Sequence, residues 1–358
     1  MTEGNGGDGG SAGDDGEPEA AEGDELTYAD AGVDVDASEA ATAALIGAVG
    51  ADTEAEGSGS EYAGLLDIGD RYLALATDGV GTKLLVAEAL GDYSTVGIDC
   101  VAMNVNDLVA AGVRPVAFVD YLAVDGPDER FAEQVGEGLA RGAELADMEL
   151  VGGETAVMPE VVRGLDLAGT CAGLAAKDGV FDGRAEPGDA LVGWRSSGIH
   201  SNGLTLAREA VTREHAYADP CPFDGYETLG DALLEPTRIY TDLLDPMRAH
   251  GVRGAAHVTG GGWTNLERLG GHRYVIDDAF DPQPVFEFVQ SEGNVTDEEM
   301  HRTFNMGTGF VAALDSDAAE SLADATDGRV IGRVEAAEPS DEAGDEGRAT
   351  VAIRGLEL

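Results

Sequence analysis

The spacing of apolar positions changes repeatedly along this chain, and each change marks an element. "RYLALAT" (71–77) reads as a strand by alternation and composition. "VGIDCVAMNVNDLVAAG" (96–112) has helical spacing and stops at Gly112. "RPVAFVDYLAV" (114–124) predicts a strand, "ERFAEQVGEGLARGAELA" (129–146) a helix, and "MELVGGET" (148–155) and "DLAGTCAGLAA" (166–176) two further strands. The turn-rich run "DGVFDGRAEPGD" (178–189) predicts a joint near 180–187. After it come a strand in "ALVGWRSS", a helix in "SNGLTLAREAV", a strand in "AAHVT" and a helix in "TNLERL". "FNMGTGF" (304–310) enters a strand through glycines and reads as backbone shaping a pocket. The acidic run 335–348 predicts an exposed loop between two short strands. The expected fold class is therefore α/β (α+β), in two domains spanning 26–182 and 183–358, with no internal repeat.

Composition changes this picture at the termini and on the surface. Residues 1–25 hold no aromatic and no basic side chain, so they predict a disordered acidic tail. The chain has 358 residues, enough for two cores without staples. Its net charge of -49 comes from 70 acidic against 21 basic residues, spread along the whole chain. That distribution fits a surface adapted to high salt, where self-repulsion is screened, better than an acidic module mimicking nucleic acid. It argues against nucleic acid as a partner, since phosphate binding needs a basic face. No apolar run has membrane-spanning length and no secretion signal stands at the start. Three cysteines far apart, Cys100, Cys171 and Cys221, fit a reducing cytoplasm.

Candidate chemistry collects at strand–helix junctions. In "TDGVGTKLL" (77–85), Gly79 and Gly81 permit a sharp turn, Asp78 offers oxygen to a hard cation, and Lys83 offers a point charge to phosphate at a helix start. Only two lysines occur, Lys83 and Lys177, which makes Lys83 conspicuous. Alone, such a stretch is commonly just a turn, and the P-loop spacing is missing. On the helix 96–112, Asp99, Met103, Asn106 and Asp107 share one face, opposite Val101, Val105 and Leu108. Asp107 lies near the helix C-terminus, where the dipole disfavours an anion and a bound cation would offset it. "LVGGETAVMP" (150–159) sets Gly153 and Glu154 at a strand tip. "SSGIHSNG" (196–203) carries His200 and Asn202, and "HVTGGGWTNLERL" places Gly260, Gly261 and Gly262 before a helix, a plausible phosphate cradle.

These words stand in a known order. "YADAGVDVDA", "TDGVGTKL", "GIDCVAMNVNDLV", "FVDYLA", "VGGETAVMP", "SSGIHSNG", "PTRIY", "AHVTGGGWTN" and "RTFNMGTG" together resemble the phosphoribosylformylglycinamidine cyclo-ligase (AIR synthetase) family from about Tyr28 to the C-terminus. The resemblance implies two α/β domains, the first giving strands to an intersubunit β-barrel in a homodimer. It implies ATP-dependent closure of formylglycinamidine ribonucleotide to 5-aminoimidazole ribonucleotide, with ATP and Mg²⁺ required. It carries over Asp78, Asp107 and Glu154 as Mg²⁺–ATP ligands, with Lys83, Thr82, Gly79, Gly81, Asn106 and Gly153 around the nucleotide. Asp78, Asp107 and His200 become the catalytic set, His200 polarising an oxygen or handling a proton. Asn202, Gly260, Gly261 and Gly262 would hold the substrate, and Asp99 is a further candidate. The chain departs from the family in its glycine-rich flap, "EGSGSEYAGLL", in a helix end, "AALIGAVG", that lacks the usual lysine, and in Val157, where an acid is usual. Thiamine-monophosphate kinases, selenophosphate synthetases and hydrogenase-maturation dehydratases of the same superfamily are the alternative enzymes. The selenophosphate synthetases usually show a reactive residue near the N-terminus that is missing here.

Overall fold

Two mixed sheets, which contain the predicted strands together with the unpredicted Gly64–Asp67, His272–Ile276 and Leu356–Glu357, meet across one buried helix. The computed structural model describes residues 25–33, 40–42, 44, 45, 62–337 and 349–358. Most of the acidic tail, the flap and the loop 338–348 lie outside the described residues. The first sheet has the order β1-β2-β5-β3-β4, with β1 Gly64–Asp67, β2 Arg71–Gly79, β3 Arg114–Val124, β4 Glu149–Val157 and β5 Leu165–Ala176. Its helices are α1 (Lys83–Leu90), α2 (Val96–Ala110) and α3 (Glu129–Ala146). β3 and β4 are parallel and joined through α3, while β5 runs antiparallel between β2 and β3.

Local chemistry accounts for the helix ends. Asp128 caps α3 by accepting from the Phe131 N–H, and the chain leaves α3 at Asp147 with φ +54°. The buried face of α3 runs through Val135, Leu139, Ala143 and Ala146. It crosses α2 at very short range because both sides are glycine: a Cβ on Gly97 would stand 2.2 Å from the Leu139 nitrogen. Gly112 takes φ +76° just beyond α2, as the sequence predicted.

The second sheet has the order β12-β11-β8-β10-β6-β9-β7. Its strands are β6 Ala190–Arg195, β7 Gly254–His257, β8 His272–Ile276, β9 Thr308–Leu314, β10 Arg329–Ala336, β11 Thr350–Ile353 and β12 Leu356–Glu357. β9 is buried along its whole length and β6 up to Trp194, so they form the centre. Around them pack α4 (Leu204–Thr212), α5 (Leu229–Leu233), α6 (Leu244–Ala249), α7 (Pro284–Gly293), α8 (Asp297–Thr303) and α9 (Ser316–Thr326). The expected helix at 264–269 is a 3-10 segment, Gly262–Leu269.

The first sheet buries one face only. Ala74 and Ala76 of β2, Phe118 and Leu122 of β3 and Leu167 and Cys171 of β5 point to α2 and the core. The opposite face leaves Leu66, Leu75, Val119 and Tyr121 exposed, between 41% and 58%. α2 is the element that matters most for position. Val101, Val105 and Leu108 are fully buried, and the polar face of the same helix turns to the C-terminal domain instead of solvent.

Candidate active site

Every polar residue of that α2 face has a partner across the domain seam. Asp99 Oδ1 accepts from the Thr237 N–H at 2.8 Å, from Thr237 Oγ1 at 2.6 Å and from Lys83 Nζ at 2.9 Å. Met103 Sδ receives Asn202 Nδ2 at 3.6 Å. Asn106 Nδ2 donates to the Arg238 carbonyl at 2.8 Å, and its Oδ1 accepts from the Tyr240 N–H at 3.0 Å. Asp107 Oδ1 lies 3.1 Å from His257 Nδ1. The predicted single face is real, and its function is to join two domains around a site.

His257 is fully buried at the end of β7. Its Nδ1 faces an acceptor-only carboxylate, and its Nε2 stands 3.3 Å from Asn106 Nδ2. Nδ1 therefore carries the hydrogen and Nε2 accepts. The Nδ1–H holds the Asp107 carboxylate in one orientation, and it also supplies the donor that offsets an anion at this helix end. Reading the sequence missed this residue. The signal was present, since His257 ends an apolar strand with only Val258 and Thr259 between it and a triple-glycine turn, but nothing local connects it to a helix 150 positions earlier.

Asp78 is the last residue but one of β2, beside this pair. Burial, then the charge of Asp107, raises its carboxyl above the ordinary aspartate value, against the opposing pull of the Gly79 N–H and His257. The Asp78 carbonyl is held by Asn104 Nδ2 at 3.1 Å. The Asp107 charge thus disfavours ionisation of Asp78, and the two carboxylates stand near each other at a strand–helix junction and a helix end.

His200 sits in the turn before α4 with φ +67°, an uncommon conformation for a non-glycine residue. The Ser197 N–H donates to its Nε2 at 3.1 Å, which leaves the hydrogen on Nδ1. That Nδ1 is buried and has no hydrogen-bond partner. Burial first, then His257, Lys83 and Arg238, pushes His200 well below the usual imidazole value. The Ser197 N–H on Nε2 and the burial together favour a neutral ring whose one N–H is at Nδ1. Gly309 makes room for it: a Cβ there would lie 2.7 Å from His200 Cε1 and 2.2 Å from the Tyr240 hydroxyl.

The structure separates other expected members. Lys83 is fully buried, with Nζ on Asp99 and on the Glu235 carbonyl at 2.6 Å, so it does not offer a free charge to phosphate. Glu154 does not join Asp78 and Asp107. Asp78, Gly169, Asp120 and Gly153 form one row across the sheet, on the core side. Glu154 is the next residue along, so it points to the other face and is exposed. Gly153 is needed because the Asp120 carboxylate lies where its Cβ would be, 2.2 Å away. Among the described residues, no three His, Cys, Asp or Glu side chains stand together as a metal cluster. Thr82 Oγ1 meets Thr205 Oγ1 at 3.0 Å across the seam, and Gly81 turns the chain with φ +72° while Gly79 continues β2. Gly260 is exposed and faces Asn202 Oδ1, whereas Gly262 is buried against α8, its missing Cβ 2.2 Å from the His301 carbonyl. Gly261, between them, takes φ +98°. Only the outer part of the triple glycine is open to a ligand.

Comparison with known proteins agrees with this architecture. The model of the AIR synthase related protein N-terminal domain matches residues 60–175, and that of the C-terminal domain matches residues 186–342. A phosphoribosylformylglycinamidine cyclo-ligase of Methanosarcina mazei is 49% identical over 316 residues, covering 86% of this chain and 95% of the relative. Its counterpart in Methanocaldococcus jannaschii is 45% identical over 323 residues, covering 86% and 92%. Among solved structures, AaThiL complexed with AMPPCP and TMP shares the fold at a TM-score of 0.60 and 17% identity, over 88% of this chain and 93% of that one. With both AIR synthase domains in one polypeptide and close relatives along nearly their whole length, the chain belongs to the phosphoribosylformylglycinamidine cyclo-ligase family.

Proposed function

We propose that this chain closes the imidazole ring of 5-aminoimidazole ribonucleotide from formylglycinamidine ribonucleotide, using ATP and releasing ADP and phosphate, in purine biosynthesis. The observation that carries the reading is the seam itself. It brings Asp78, Asp107, His257 and His200 from four distant segments to one place between two domains of the cyclo-ligase family. Amide-type oxygen leaves poorly. Transfer of a phosphoryl group to the formyl oxygen, with ADP as leaving group, makes that oxygen a good leaving group. The neighbouring nitrogen then attacks the same carbon, loses its proton and expels phosphate. The protein's work is to orient the reactants and to meet developing charge.

Asp78 and Asp107 fit a Mg²⁺ ion, because a cation between them relieves the repulsion and burial that raise Asp78. When bound, Mg²⁺ neutralises phosphoryl charge. His257 keeps Asp107 turned toward the ligand through Nδ1–H. His200 directs its unpartnered Nδ1–H at a substrate oxygen and stays neutral while doing so. Asn202 and Gly260 bound the substrate end. We also read the chain as a cytoplasmic homodimer, since the exposed apolar face of the first sheet fits a second copy of itself better than water. Val119→Glu on that face is expected to halve the mass seen by light scattering. An unchanged mass would reject this face as the contact.

The function is tested with purified protein in molar KCl. Aminoimidazole product should form with stoichiometric ADP only when formylglycinamidine ribonucleotide, ATP and Mg²⁺ are all present. ADP release driven instead by thiamine monophosphate, or by no tested substrate, would overturn the reading.

A further inference from the structure

We propose that Lys83, Asp99 and Thr237 are positioning residues that fasten the segment Glu235–Tyr240 onto the N-terminal domain and thereby set the ring of His200. This rests on the reading of His200 as a substrate contact. The segment is a strap between domains. On one side Asp99 receives both the Thr237 N–H and Thr237 Oγ1, and Lys83 Nζ holds the Glu235 carbonyl. On the other side the Pro236 carbonyl accepts from Ser197 Oγ at 2.6 Å, while the Tyr240 hydroxyl and the Arg238 guanidinium both donate to the Arg195 carbonyl, at 2.9 and 3.2 Å. Ser197 is the last link, because its N–H donates to His200 Nε2.

The consequences follow from what each bond fixes. A ring whose Nε2 must accept has its hydrogen on Nδ1, and that Nδ1 is the unpartnered donor. His200 also occupies a left-handed conformation, which costs energy and persists only where neighbours over-determine it. The strap supplies that constraint through Ser197 and through Tyr240, which packs with His200 over Gly309. Lys83 thus acts on the substrate through a chain of bonds, from Asp99 to Thr237, Pro236, Ser197 and His200, without touching it. A buried ion pair is suited to this task. Its value lies in geometry, since a charge left without its partner there is expensive, whereas net stability from such a pair is small.

Thr237→Val tests the strap, because it removes the Oγ1 donor while keeping shape and the backbone N–H. The variant should fold normally, lose at least about tenfold in kcat, and change KM for ATP by less than about twofold. Thr237→Ser should restore kcat to within about threefold. In parallel, the ¹⁵N spectrum of histidine-labelled full-length protein should show His200 as a pure Nδ1–H tautomer, and a tautomer mixture in Thr237→Val. The spectrum reads the strap even if cyclisation is the wrong reaction, so the two failures are distinguishable. A folded Thr237→Val protein with wild-type kcat and an unchanged His200 signal overturns the proposal. So does a Lys83→Met variant whose main defect is a raised KM for ATP, which would mean direct phosphate contact.

Discussion

Lysine 83 shows how far a single residue can be read before its surroundings are known. In a chain with two lysines, retention of one after a glycine turn pointed to phosphate. The fold gives a different cause for the same retention: Nζ is buried between Asp99 and a backbone carbonyl. Asp107 has a partner that the sequence did not show, His257. Asp107→Asn removes charge but not size, so kcat should fall by about a hundredfold or more with the thermal midpoint little changed. Turnover like the wild type's would return Asp107 to a structural role. His200 makes a pH prediction. Its folded value lies well below 6.5, so the unfolded chain takes up the proton first as pH falls. The native state keeps full stability from this group above about pH 6.5 and loses it below, at up to about 1.4 kcal/mol per pH unit. Denaturant titrations of His200→Gln should show a shallower loss below pH 6.5, and parallel curves would contradict the assignment.

At the scale of elements, α2 decides most of what the site can be. Its sequence is apolar on one side and polar on the other, which in an isolated helix means core and solvent. Here both sides are covered, one by the first sheet and one by the second domain. The close α2–α3 crossing makes this possible, because Gly97 and Gly138 let the backbones nearly touch. Gly97→Ala should therefore destabilise by roughly 1–3 kcal/mol through forced separation of the helices. Because α2 carries Asp99, Asn106 and Asp107 together, the same change should also lower kcat. Equal stability in a denaturant melt would mean that the crossing can relax.

Across the whole molecule, charge sets the conditions under which the fold holds. With 70 acidic and 21 basic residues, most carboxylates cannot have a cationic partner. Arginines bridge some of them, as Arg333 does with Asp277 and Glu335 and Arg273 with Glu357. Such exposed pairs contribute little individually, at about 0–1 kcal/mol each. The remaining repulsion falls as the screening length shortens to about 3 Å at molar salt. The melting temperature should rise steeply between low and molar KCl, and a flat profile would sink the idea that the surface requires salt.

Sequence alone determined most elements of the first domain and several of the second, because period and turn residues are local properties; β1, β8, β12 and the helices α5 to α9 were not read from it. The ranges of β3 and α3 agree to the residue. It also determined the family, because motif order survives without knowledge of contacts. Only the tertiary structure decided which of those motif residues meet. Strand parity sent Glu154 to the face opposite Asp78, although both stand in motifs of equal appeal. The partnership of Asp107 with His257, the neutral state of His200 and the capture of Lys83 by Asp99 are set by contacts between residues far apart in the chain. Burial and neighbouring charge exist only once two domains close on α2, so no reading of the chain in one dimension could have supplied them.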